Sequence, residues 1–177
     1  ADRGESLAFT AADAGNLKDI ATYMRIYKAK TALSQVGLAK EIIPLIEEDS
    51  ILVFENPTER NKVLGKYLGT IADGASGDKV QMDIEDLAVK LERKAEFLMK
   101  TIRNQEWVED KHGNGWYNGY YDNSGKMVEG TFGDDVRMML TGQVFTIMSG
   151  TAKNDAVESI VDAVDNYLYK KEIGGYV

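Results

Sequence analysis

The chain has 177 residues, a formal net charge of −8, 44% hydrophobic residues, no cysteine and one histidine. That length suits one domain able to bury roughly 70% of its unfolded surface. The negative charge argues against nucleic acid or an anionic membrane as partner, because both are bound through basic patches. Without cysteine there is no disulfide or thiolate metal site, and one histidine leaves no His-rich metal site or His-based triad. No apolar run approaches the ~20 residues of a membrane helix, and the N-terminus lacks a secretory signal pattern, which is compatible with a cytoplasmic protein.

The first periodic segment carries Leu17, Ile20, Ala21, Met24 and Tyr27 at helical spacing, so one face is apolar. This helix can begin as early as Ser6, although Gly15 weakens continuity through that point. Residues 38–46 form a shorter apolar segment in which Pro44 sits in a first turn or kinks a helix. Ile51-Leu52-Val53-Phe54 reads as a short strand or buried loop. Asn56-Pro57-Thr58-Glu59 is a helix start: Asn56 caps, Pro57 fits the first helical position and Glu59 stands three residues on. That helix is expected to run to about Leu68, followed by a Gly-rich loop from Gly69 to Gly77.

The most regular element runs from Asp83 to about Gln105. Asp83 is placed to cap it, and Met82 and Leu87 occupy the two positions of a hydrophobic staple. Its apolar face is Ile84, Leu87, Ala88, Leu91, Ala95, Leu98 and Ile102. Trp116-Tyr117-Asn118-Gly119-Tyr120-Tyr121 then leads into the turn signal Asp122 to Gly125, which predicts a β-hairpin over about 115–130 with Gly125 at positive φ. Met138 to Met148 is apolar on most sides and is expected to be a buried helix. A last helix, capped by Asn154, carries Val157, Ile160, Val161, Val164 and Leu168, with Gly174 as its stop. Both ends look cut from something longer.

Few constellations carry chemistry. The aromatic residues Trp116, Tyr117, Tyr120 and Tyr121 either offer a sugar-stacking surface or pin the hairpin onto helices. Asp110, His112 and Asn114 resemble the start of a calcium loop, but Tyr121 stands where the twelfth-position acid belongs. Gly74, Gly77 and Asp78 lack the context of a phosphate cradle. Asp134 and Asp135 precede a helix, where carboxylates serve either as a general acid in an apolar pocket or, more commonly, as caps or dipole partners. Arg137 and Gln143 are assigned to one apolar helix, where they either hold neighbouring loops or reach a polar ligand.

The Trp116–Gly125 stretch, followed by Arg137–Gly150 with Gln143 and Ser149-Gly150, resembles the inverting β-glucoside phosphorylases (glycoside hydrolase family 94), including cellobiose phosphorylase and the β-1,2-oligoglucan phosphorylases. Arg3-Gly4-Glu5-Ser6 is similar to a Gly-Glu-Ser segment of that family. The resemblance is specific at the start and from Trp107 onward, and residues 31–77 do not match. It implies a mainly α fold in which residues 1–177 supply consecutive helices of an (α/α)6 toroid with one hairpin. It also implies a glycosyltransferase-type reaction on a β-glucan or β-glucooligosaccharide. Inorganic phosphate is the co-substrate, with no cofactor and no metal, and attacks the anomeric carbon with inversion.

The family's Asp-Trp-Asn-Asp-like motif, which holds its general acid, is absent here and would fall before Ala1. Its phosphate-contacting residues would fall after Val177. The resemblance thus implies that the remainder of a parent polypeptide is a partner and that the chain alone is inactive. Glu5 would border the sugar site, with Trp116, Arg137 and Gln143 as further substrate-binding candidates. Apolar surface left uncovered implies self-association, and a homo-oligomer is compatible with this. The alternative is a helical carbohydrate-binding or interaction module without catalysis.

Overall fold

A computed structural model of the chain describes residues 6–47, 53 and 55–177. Glu5 and most of the Ile51–Phe54 segment lie outside the described residues. Six α-helices, one short 3-10 turn and four two-stranded antiparallel sheets make the described fold mainly α with small hairpins. The chain divides into two compact units, Leu17–Phe97 and Ala1–Asn16 with Leu98–Val177. Helix α1 (Leu7–Thr31) and helix α4 (Ile84–Gln105) contribute residues to both.

In the Leu17–Phe97 unit, strand β1 (Gln35–Ala39) pairs antiparallel with β2 (Lys79–Asp83), placing Val36 opposite Met82. The expected apolar segment around Pro44 resolves into a 3-10 turn followed by the short helix α2 (Ile43–Glu47), with Pro44 in its first turn. Helix α3 (Pro57–Ile71) starts as expected: Asn56 Oδ1 accepts from the amides of Thr58 at 3.0 Å and Glu59 at 3.3 Å. It runs on through Ile71 rather than stopping near Leu68. Helix α4 is capped by Asp83, whose Oδ1 accepts from Glu85 N at 2.8 Å and Asp86 N at 3.1 Å.

The core of this unit is Ala21, Ile46, Met82, Leu87, Ala88 and Leu91, with Leu17, Met24 and Val36 packed on it. Met82 and Leu87 share that core, as a staple requires. Outside it, Arg25 on α1 bridges Glu85 and Glu92 on α4. Hydrogen bonds from Arg25 hold both carboxyls below their usual range. Glu85 and Glu92 stand seven positions apart, two turns of one helix face, so one guanidinium reaches both.

In the other unit, α1 is continuous through Gly15. A Cβ there would lie 3.0 Å from both Cα and Cβ of Ser149, so the glycine permits a close approach rather than breaking the helix. Three tight turns follow α4. Strand β3 (Trp107–Glu109) pairs with β4 (Gly115–Tyr117). The chain then folds back around Asp122–Gly125 with a single bridge, Tyr121 to Met127. Strand β5 (Gly130–Phe132) pairs with β6 (Asp135–Arg137). The expected turn is present, with Gly125 at φ 77°. The 115–117 arm, however, pairs backward with 107–109 and not forward across that turn. Asp110 explains the choice. Its Oδ1 accepts from His112 N at 2.7 Å and Asn114 N at 2.9 Å, closing the earlier turn.

Helix α5 (Leu140–Met148) and helix α6 (Asn154–Tyr167) complete the unit. Asn154 lies inside α6 and does not cap it; Lys153 holds that position without a side-chain bond. The helix ends well before Gly174, which turns the chain between β7 (Tyr169–Lys170) and β8 (Gly175–Tyr176). The core joins Leu7, Ala11, Ile102, Trp116, Tyr117, Ala152, Ile160 and Ala163.

Leu91 is buried in the first of these cores. Leu91→Ala is expected to lower the unfolding free energy by about 2–5 kcal/mol, because transfer and cavity losses add. Urea denaturation measures it, and an unchanged midpoint would contradict the packing described.

Candidate functional site

The most organised part of the chain surrounds Trp116–Tyr121. Trp116 is fully buried and its ring lies 5.8 Å from that of Tyr167 on α6. The Tyr117 ring meets Trp107 edge-on at 5.0 Å. Gly115 lets β3 and β4 close, since a Cβ there would overlap the Trp107 ring at 2.1 Å.

Strand β4 has β3 on one edge only. Its other edge is satisfied by a side chain. Gln143 Oε1 accepts from Tyr117 N at 2.9 Å, and Gln143 Nε2 donates to Tyr117 O at 2.7 Å. The carboxamide therefore substitutes for one residue of a third strand. Two residues on, Gly119 N donates to Glu129 Oε1 at 2.8 Å, and Met139 N donates to Glu129 Oε2 at 2.9 Å. A Cβ on Gly119 would sit 2.1 Å from that Glu129 oxygen, so only glycine allows the bond.

Asn118 links the two sides. Its amide N donates to Glu106 O at 2.7 Å, its Nδ2 to Glu106 Oε2 at 3.2 Å, and its Oδ1 accepts from Glu129 N at 3.2 Å. Tyr121 OH adds a bond to Glu106 Oε2 at 2.8 Å.

Glu129 has the most chemically suggestive environment. Burial pushes its carboxyl up to about 7, against the opposing pull of the Met139 and Gly119 amides. A raised carboxyl is what a general acid needs. Here both oxygens face backbone amides inside the core, so the group holds two chain segments together and presents no proton to a cleft. Asp110 is the opposite case. Burial works against its charge, but hydrogen bonds from Asn114 and Tyr167 outweigh that and hold it far below the usual range. Its oxygens are engaged by the turn amides, Asn114 and Tyr167, which accounts for the residues that resembled a calcium loop. Among the described residues no His, Asp and Glu cluster could hold a metal ion.

The structure separates the four candidates. Glu5 lies outside the described residues. Trp116 has no exposed face, and its indole N–H is buried without a hydrogen-bond partner. Gln143 is buried and engaged with Tyr117. Arg137 ends β6, not α5, so the assignment of both residues to one helix is corrected; its guanidinium lies 4.5 Å from the centroid of Phe132. Trp116 and Gln143 are thus brought to adjacent peptide groups, while Arg137 remains exposed on the β5–β6 hairpin. Asp134 and Asp135 are also exposed on that hairpin and do not start a helix.

Helix α5 reverses its expected burial. Gly142, Gln143 and Thr146 are inside, while Leu140, Val144 and Met148 are 38%, 40% and 74% exposed. Glu106, Asn118 and Glu129 carry this network without any sequence signal of their own. No local pattern marks them, since each acts on a peptide group distant in sequence. Tyr120 and Tyr121 keep partial exposure and border the open side of the Asp122–Gly125 turn.

Gln143→Leu is expected to destabilise the protein by roughly 1–3 kcal/mol for each of the two Tyr117 groups left unpaired, as measured by denaturant unfolding. Glu129 yields a pH test. Its folded value lies above the ordinary carboxyl range, so its stabilisation is complete below about pH 4.5 and is lost as pH rises through about 7. Between pH 5 and 8 the wild type is expected to lose on the order of 2–3 kcal/mol relative to Glu129→Gln. Parallel stability–pH curves for the two proteins would refute this.

Comparison with known families adds one finding. Residues 79–177 match the Glycosyl hydrolase 94 superfamily, catalytic domain. No curated protein matches the chain. The matched stretch contains β4, Glu129 and the Gln143 helix.

Proposed function

The chain belongs to the Glycosyl hydrolase 94 superfamily, and on that premise we propose that it is part of an enzyme that cleaves β-glucosides with inorganic phosphate. The observation that carries this reading is the pairing of Gln143 with Tyr117. It joins the aromatic segment and the Gln-bearing helix, the two motifs of the resemblance, into one packed body within the matched residues. In the proposed reaction phosphate attacks the anomeric carbon from the face opposite the departing oxygen. A carboxylic acid protonates that oxygen, and a β-glucoside yields an α-glucose 1-phosphate. One protein acid suffices, because phosphate takes the place of the water that an inverting hydrolase must activate.

In this reading residues 98–177 act as scaffold. Trp116 and Gln143 position the segment that leads to Tyr120 and Tyr121, and Glu5 and Arg137 are the residues left to meet sugar directly. This reading assigns the proton donor to none of the described residues. The helices are those of an (α/α)6 toroid. A reaction that consumes inorganic phosphate and forms a sugar phosphate suits the cytoplasm, where both are retained. Among the described residues no helix is long and apolar enough to cross a membrane.

The intact protein, given cellobiose and sophorose, is expected to release α-glucose 1-phosphate only when phosphate is present, with the anomer read by NMR. Equal cleavage without phosphate would make the enzyme a hydrolase and remove phosphorolysis from the reading.

A further inference from the structure

The turn at Asp122–Gly125 borders a shallow, open concavity. Tyr120, Tyr121, Asp122, Asn123, Ser124 and Val128 line an open cleft of about 580 Å³, within the size range of small-molecule sites. The cleft is built on fixed parts. Asp122 Oδ1 accepts from Ser124 N at 2.8 Å, Ser124 Oγ at 2.7 Å and Lys126 N at 2.9 Å. Val128 N donates to Tyr120 O at 3.0 Å. Tyr121 is held by Glu106, and Tyr120 is bridged to Ser6. Little reorganisation is then needed on binding, which preserves affinity.

The lining selects a ligand class. Two tyrosines supply apolar ring surface, and the Tyr121 hydroxyl is already taken by Glu106. A carboxylate, a carboxamide and a hydroxyl supply acceptors and donors. The C–H faces of a pyranose match the rings, and its hydroxyl groups match the short polar side chains. No lysine or arginine lines the cleft, and Asp122 does, so a phosphate or sugar phosphate would meet like charge. We propose that this cleft binds a neutral sugar ring of a glucan chain. The proposal rests on the carbohydrate reading above and adds to it a named contact surface. It also divides the aromatic cluster: Trp116 and Tyr117 build the core, and Tyr120 and Tyr121 remain for the ligand.

Calorimetry and saturation-transfer NMR on the intact protein, with sophorotriose and cellotriose as probes, test it. Tyr120→Ala and Asn123→Ala are each expected to weaken trisaccharide binding at least five-fold, while Tyr120→Phe, which keeps the ring, binds as the wild type does. Asn123 is exposed at the turn; circular dichroism checks the fold of Asn123→Ala, which decides the matter if Tyr120→Ala does not fold. Wild-type binding that Asn123→Ala and a folded Tyr120→Ala both leave unchanged overturns the cleft proposal and leaves the carbohydrate reading standing. A wild type that binds neither trisaccharide overturns both.

Discussion

The Ala1–Asn16 and Leu98–Val177 unit depends on satisfying the peptide groups of Tyr117, Asn118 and Gly119 in a dry core. A strand edge buried without partners leaves polar groups that cost stability individually. Among the described residues only β3 pairs with β4, so the far edge requires other donors and acceptors. Gln143 and Glu129 supply them, while the backbone carbonyl of Glu106 extends the β3 side by accepting from Asn118 N. Gly119 admits the Glu129 oxygen at a distance that no side chain would tolerate, and Gly142 approaches Gly119 closely enough that a Cβ there would touch its Cα.

That requirement also explains the inverted helix α5. Its inward face must carry the carboxamide that reaches β4, with a small residue beside it. Gly142, Gln143 and Thr146 therefore face inward, and Leu140, Val144 and Met148 keep solvent exposure. Hydrophobic composition alone ranks these residues the other way round. The burial of a backbone edge outweighs it because two unsatisfied peptide groups cost as much as burying a large aliphatic side chain gains. Helix α6 covers the opposite side, with Ser159 Oγ accepting from Gly115 N at 2.8 Å and Tyr167 set against Trp116.

For function, the same network divides labour along one short segment. Residues 116–119 are held by buried polar bonds and are closed to ligands. Immediately after them, the chain emerges at Tyr120 and Tyr121 beside the Asp122 turn. The cleft proposed there would inherit its rigidity from groups that never touch a ligand, in the manner of binding sites whose supporting hydrogen bonds lock the contacting side chains. Glu129 shows why a perturbed carboxyl is insufficient grounds for assigning acid catalysis: its elevation comes from burial, and its two oxygens already have backbone partners.

Elements whose physical cause is local were legible in the sequence. Asn56 and Asp83 cap their helices because an Asx oxygen reaches amides two and three residues away, and the period of α4 marks its buried face. The Asp122–Gly125 turn is local in the same sense. Other features required the tertiary fold. Gly15 weakens helix continuity by propensity alone, yet in the fold it is a contact with Ser149, and strand 115–117 takes an upstream partner because Asp110 closes the earlier turn. The partners of Tyr117 and Gly119 stand 26 and 10 residues away. Periodicity reports which residues share a face, but not which distant polar group will complete a buried peptide. That choice is made only when two segments meet, and here it decided that Trp116 and Gln143 would be internal.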